Sequence, residues 1–215
     1  MKSKLTKDFY NKHAGLYKDA SENQILKNEL GQIQDFCSLL APKSKILDVG
    51  CGSGRDSNIF YKKGFSVVGI DISENLLALA RQYYSGIEFI EADMTLLPFE
   101  NNIFDGLWVH ASLLHLTEES DIQKALSEFS RVTKSGGAIH IFVRAQNKKH
   151  GVISEQVFSD GDTRIFRNYK VDEIVKFVEG FGFNVLTHEK YNETRDNPKG
   201  RSDIDWIVVL AKKVN

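Results

Sequence analysis

With 215 residues the chain is long enough for one domain with a sizeable core. Its 41% hydrophobic and 27% charged content reads as soluble and globular, and a formal net charge of −1 excludes any global attraction to nucleic acid or anionic membrane. No apolar run reaches membrane-spanning length, and the opening MKSKLTKDFYNKH lacks the apolar stretch of a signal peptide. The two cysteines, Cys37 and Cys51, point to a reduced, cytoplasmic setting, because Cys51 lies in a glycine-rich loop that a disulfide would obstruct.

Residues 1–42 are polar and helical in flavour and end at Pro42. Short strand-like and helix-like runs then alternate. Lys45 to Val49 predicts a buried strand, and Arg55 to Lys63 a helix stopped by Gly64. Ser66 to Ile70 is the next strand. Ser73 to Tyr84 is a helix with Ser73 as N-cap and Leu76, Leu77 and Ala80 at helical spacing. Ile87 to Glu91 and Phe104 to Val109 are strands, and Ser120 to Thr133 is a helix. Gly136 and Gly137 turn the chain into the strand AIHIFV. Val171 to Glu179 is a helix, and Phe183 to Thr187 and Asp205 to Ala211 are the last strands. This alternation predicts right-handed crossovers and a doubly wound, mostly parallel α/β sheet. Only a loop joins the last two strands, so they should form an antiparallel hairpin.

Ligands of such sheets bind beyond the carboxyl ends of the strands. ILDVGCGSGRDS, residues 46–57, follows the first strand, and its glycines let backbone approach a ligand that a Cβ would push away. The dinucleotide spacing G-x-G-x-x-G fails: from Gly50 it ends on Arg55, and from Gly52 on Ser57. There is no Walker loop either. Asp48 would repel a pyrophosphate and suits a ligand with a positive group. Asp71, after the second strand, can accept both hydroxyls of a ribose, and Asp93, after the third, can accept an adenine amino group. A cationic amino acid end, a ribose and an adenine without phosphate describe S-adenosylmethionine.

ILDVGCGSGRDS, VVGIDISENLLALA, FIEADMTLLPF, FDGLWVHASLLHL and RVTKSGGAIHIF follow one another over roughly residues 45–143. In that order they resemble the class I S-adenosylmethionine-dependent methyltransferases. The resemblance implies a Rossmann-like seven-stranded sheet of order 3-2-1-4-5-7-6, with strand 7 antiparallel and helices on both faces. It also implies roles: Gly50, Cys51 and Gly52 backbone against the methionyl part, Asp71 with Ile72 at the ribose, and Asp93 and Met94 around the adenine. FYNKHAGLY looks like a lid helix whose Tyr10 and Tyr17 cover the cofactor. A single domain is therefore expected, with residues 1–42 as a helical lid and 43–215 as the cofactor-binding core ending in the hairpin. The flanking segments are similar to a bacterial small-molecule subgroup often labelled tellurite-resistance-type.

Methyl transfer needs alignment, exclusion of water and, for some acceptors, a base. His110, directly after the fourth strand, is expected to face the cofactor, either as general base or as a packing partner. His115 either closes the pocket or is structural. Arg55 pairs with the cofactor carboxylate or with Asp56. Arg144 and Arg195, with Arg164, Arg167, Lys199 and Arg201, lend positive charge to the same mouth and would fit an anionic substrate, or are simply solvated. Trp206 is core or pocket wall. Lys148, Lys149 and His150 make too small a basic run for nucleic acid. No metal site is expected, and the chain should be a monomer or homodimer. The leading function is methylation of a small molecule. The alternatives are a catalytically inactive S-adenosylmethionine-binding module, and an RNA or protein methyltransferase, which would need a basic face or an added recognition domain.

Overall fold

The computed structural model describes residues 2–22, 27–146, 152–156, 162–195 and 201–214. Lys148, Lys149, His150 and Lys199 lie outside the described residues. Three helices lead: α1 (Lys2–Lys12), α2 (Ala14–Glu22) and α3 (Lys27–Ser38). The core follows as β1 (Lys45–Val49), α4 (Arg55–Lys62), β2 (Ser66–Asp71), α5 (Glu74–Tyr83), β3 (Glu88–Glu91), β4 (Phe104–His110), α6 (Glu119–Val132) and β5 (Thr133–Arg144). Then come β6 (Val152–Gln156), β7 (Thr163–Arg167), α7 (Val171–Gly180), β8 (Phe183–Asn192) and β9 (Asp205–Lys213).

The main sheet runs β3-β2-β1-β4-β5-β9-β8, with β9 antiparallel to both neighbours. The doubly wound architecture is therefore the expected one. Local chemistry explains the boundaries. Gly64, at φ +89°, ends α4 in the left-handed conformation that suits glycine. Ser73 Oγ accepts the Leu76 N–H at 3.3 Å and caps α5.

Strand parity sorts the core. Leu47, Val49, Leu107, Val109, Ile139 and Ile141 face α6 and α7. Ile46, Trp108 and Ala138 face the other way, toward Phe36 of α3 and Phe60 of α4. On that second face Trp108 is fully buried, 5.4 Å from Phe36 and 5.2 Å from Phe60 between ring centroids. Its Nε1–H donates to Asp56 at 2.8 Å, so the indole carries its polar handle into a satisfied contact.

The structure departs from the sequence expectation in three places. β6 and β7 form a separate antiparallel hairpin, between β5 and α7, that the pattern did not predict. β8 runs five residues past Thr187, through the largely exposed residues 188–192 of the sheet edge. β5 begins at Thr133, before the two glycines, which it includes.

Candidate active site

The loop after β1 is tied down by its own backbone. The Gly50 and Cys51 N–H groups both donate to Ile70 O at 2.8 Å, and the Gly52 N–H donates to Asp71 Oδ2 at 2.9 Å. These amides are spent inside the protein, so the loop offers shape, not donors. A Cβ at residue 50 would sit 2.3 Å from Cβ of Ser112, whose hydroxyl donates to Val49 O at 2.6 Å. The loop after β1 and the turn after β4 therefore touch. Next to Ser112, Ala111 has φ +53°, a left-handed geometry that costs a non-glycine residue about 1–2 kcal/mol.

Above this floor lies a cavity at the carboxyl ends of β1 to β4. Gly50, Gly52, Asp71, Ile72, Asp93 and Met94 line it, as expected from the sequence. Tyr10 and Tyr17 roof it, their rings edge to face at 5.2 Å. Asp71 Oδ1 accepts the Ser73 N–H at 2.8 Å. Burial pushes the Asp71 carboxyl up, against backbone N–H groups of Ser73, Gly52 and Ile72 that favour the anion. Three N–H groups on about four lone-pair sites leave acceptor capacity for a ligand. Asp93 Oδ1 accepts from both the N–H and the hydroxyl of Thr95, at 2.9 and 2.7 Å. Two carboxylates line the cavity, and among the described residues no lysine or arginine does.

Four expected residues do not reach this wall. Asp48 and His110 share the strand parity of Ile46 and Trp108, so their side chains project toward α3 and α4, behind the loop. Asp48 is 2% exposed and accepts the Ser57 hydroxyl at 2.6 Å. Burial and the nearby Asp56 push its carboxyl well above the usual carboxylate range. The His110 ring stacks on Phe142 at 4.3 Å, and its Nε2 lies 3.6 Å from Glu29, a carboxylate of α3 that no local motif signals. Arg55 pairs with Asp56 at 2.8 Å and Glu29 at 3.4 Å and donates to Ser21 O. Burial opposes its charge, but Asp56 and Glu29 outweigh that and hold its pKa up. The Cys51 thiol packs under the loop, where a Cβ on Gly69 would be 2.9 Å from it, and burial holds it protonated.

His115 is at the wall. Its Nδ1 lies 3.2 Å from Ile165 O, and a carbonyl only accepts, so Nδ1 carries the proton. Burial first, then the Arg164 charge, lowers its pKa to about 4, so the ring is neutral and Nε2 is bare. The Tyr10 hydroxyl therefore donates to Nε2 at 2.9 Å, and Arg164 Nη1 donates to the same phenol oxygen at 3.0 Å. One chain of bonds joins α1, the turn after β4, and β7.

A second cavity adjoins the first. Tyr10, Tyr17, Ala111 and His115 line both and form the wall between them. Arg144, Arg164, Phe166 and Trp206 line its far side, so Trp206 is pocket wall as well as a stacking partner of Phe142 at 4.5 Å. Arg195 does not reach either cavity. It pairs with Glu189 and lies over the Tyr191 ring at 4.0 Å on the polar edge strand. Arg167 pairs instead with Glu173 at 2.5 Å. Sequence reasoning missed Ser112, Phe166 and Glu193. Ser112 had a signal, since it immediately follows the strand end that faces the glycine loop.

Residues 46–137 match the family model described as a methyltransferase domain. The chain is 37% identical over 135 residues to a demethylmenaquinone methyltransferase of Renibacterium salmoninarum, covering 59% of this chain and 56% of that protein. Over this segment the chain is similar to methyltransferase domains. Its sheet order and antiparallel β9 are those that the resemblance implies, and the same fold recurs in solved structures. A methyltransferase of Methanosarcina mazei superposes with a TM-score of 0.74 at 24% identity, over 83% of this chain and 96% of that one. The 1,6-didemethyltoxoflavin-N1-methyltransferase of Burkholderia thailandensis gives 0.75 at 16% identity, over 98% and 88%. The latter was solved with 1,6-didemethyltoxoflavin and S-adenosylhomocysteine bound. The chain spans about half the length of the curated relatives it matches.

The histidine at the wall generates a pH prediction. Its folded pKa lies below the value of about 6.5 in the unfolded chain, so between the two the unfolded state binds more protons and stability falls as pH falls. At pH 4 the loss from this group approaches roughly 3 kcal/mol. His115→Gln should flatten the drop in urea midpoint between pH 7 and pH 4.5 relative to the parent chain. Equal drops in both proteins would show that His115 is not held neutral.

Proposed function

We propose that this chain transfers a methyl group from S-adenosylmethionine to a small-molecule acceptor. The observation that carries the reading is the charge of the first cavity, which has Asp71 and Asp93 on its wall and no basic side chain among the described residues. Such a wall suits a nucleoside with a cationic centre and disfavours a pyrophosphate. The residues fit the group. Asp71, partly buried and with acceptor capacity left, would accept hydrogen bonds from the ribose. Asp93 and Met94 would flank the adenine, and the Gly50 and Gly52 backbone would lie against the methionyl part. Asp48, Cys51, Arg55 and His110 would support that loop from behind.

When bound, the group supplies an electrophilic methyl on a sulfonium. The protein's share is to hold, orient and keep dry. Tyr10 and Tyr17 close the roof, and the strained Ala111 with His115 sets the distance between the cavities. The second cavity would take the acceptor. Arg144 is buried there over the Phe166 ring, and burial followed by the Arg201 charge lowers its pKa, a cost that an anionic acceptor would relieve. The relative named for demethylmenaquinone adds quinone-type acceptors to the set to be screened, and the tellurite-type flanking motifs add chalcogen oxyanions. The test is a screen of oxygen, nitrogen, sulfur and oxyanion acceptors read by formation of S-adenosylhomocysteine.

Asp71→Ala should weaken S-adenosylhomocysteine binding by about tenfold to a few hundredfold, because charge-assisted hydrogen bonds are worth roughly 1.5–3 kcal/mol each. An unchanged dissociation constant in a folded variant would remove the ribose assignment.

Helices α1 and α2 would act as a lid on the core of residues 43–215. They touch it through a small apolar cluster, Phe9, Tyr10 and Ala14 against Leu76 of α5, and through polar contacts such as Asn11 Oδ1 with Ser73 Oγ at 2.7 Å and Lys12 with Asp162 at 2.7 Å. Hydrogen exchange over residues 4–17 should slow when S-adenosylhomocysteine binds. Equal exchange with and without it would make these helices fixed structure.

A further inference from the structure

The wall between the two cavities is where the acceptor atom must stand, and its hydrogen bonds leave little room for proton chemistry. The Tyr10 hydroxyl donates a hydrogen bond to His115 Nε2 and already accepts one from Arg164. His115 has both nitrogens engaged, one to Ile165 O and one to Tyr10. Ala111 has no polar side chain. Burial raises the Tyr17 phenol pKa, so that hydroxyl stays protonated. Glu193 lines the second cavity but not the wall, and its oxygens accept the Arg201 N–H at 3.2 Å and the Trp206 Nε1–H at 3.3 Å. His110, the base expected from the sequence, stands behind the loop.

The charge of the second cavity points the same way. Arg144 on β5, Arg164 on β7 and Arg201 before β9 face it against the single carboxylate of Glu193 among the described residues. Arg201 is also paired with Asp203 at 2.8 Å. Arg144 and Arg164 both lie over Phe166 at 5.3 Å, so a flat ring placed there would meet an aromatic face and two guanidinium groups.

We propose that the acceptor enters the site already ionised: a small, flat anion whose nucleophilic atom has lost its proton before transfer, a thiolate in the simplest case. This rests on the methyl-transfer reading above and specifies its substrate. The balance closes without a base. The acceptor's lone pair forms the new bond to the methyl carbon. The carbon–sulfur bond of the donor breaks, and its electron pair stays on the donor sulfur. One negative and one positive charge vanish together, which a dry cavity favours, and no proton moves.

The test uses para-nitrothiophenol, whose thiolate is coloured and whose thiol is not. It is titrated by absorbance in the presence of the full chain saturated with S-adenosylhomocysteine. The bound probe should remain thiolate to about one pH unit below its midpoint in solution, a roughly tenfold preference for the anion. Arg144→Met should lose most of that shift while keeping S-adenosylhomocysteine affinity, measured by calorimetry on the same sample, and Arg144→Lys should keep part of it. With the full donor, the pH midpoint of methylation should differ between para-nitrothiophenol and thiophenol, following each thiol. Binding of the neutral thiol, no binding of either form, a shift that survives Arg144→Met, or one common midpoint for both thiols would each overturn the proposal. Failure of S-adenosylhomocysteine itself to bind would instead overturn the methyl-transfer reading.

Discussion

A Cβ on residue 50 would stand 2.3 Å from Cβ of Ser112, so the loop after β1 and the turn after β4 can meet only if residue 50 is glycine. That contact fixes the floor of the site. It presses Ser112 against Val49 O, holds Ala111 in a left-handed conformation, and leaves a hollow above the two loops. The side chains around it follow. Asp71 rises from the end of β2 because β1 and β2 pair in parallel register, Val49 with Ile70. Asp93 follows from the next strand, and the turn that begins at Ser112 delivers His115 to the wall.

The rear of the loop is held differently. Asp48, Asp56 and Glu29 gather around Arg55, Ser57 and Trp108 on the α3 and α4 face. Buried ion pairs gain little net stability, but removing one partner is costly. This cluster is best understood as a support that keeps the glycine loop from moving, and it explains why four expected ligand contacts lie one layer behind the cavity.

Much of this was legible in the residues. Alternating apolar runs marked β1, β2, β4 and β5, and the Ser73 cap and Gly64 stop marked α5 and α4. The acids at the ends of β2 and β3 were found because a strand end has a fixed place in such a sheet. The β6–β7 hairpin was missed although the turn signal SDGD, residues 159–162, stands between its strands in the sequence, because VISEQ and TRIFR are short and carry charge. The extension of β8 was hidden by its polarity, which suits an edge strand. His110 was misplaced although its parity with Trp108 was available, because position after a strand was given more weight than the side on which the strand leaves its last residue. Glu29 and Arg164 join the site only through tertiary packing, from elements far apart in the chain.

The central claim is that the cavity reads a phosphate-free, cationic nucleoside by two carboxylates and a glycine-made surface. Calorimetry with S-adenosylmethionine, S-adenosylhomocysteine and NAD tests it most directly. The account predicts that the first two bind and that NAD does not. Binding of NAD with an affinity comparable to theirs would contradict it.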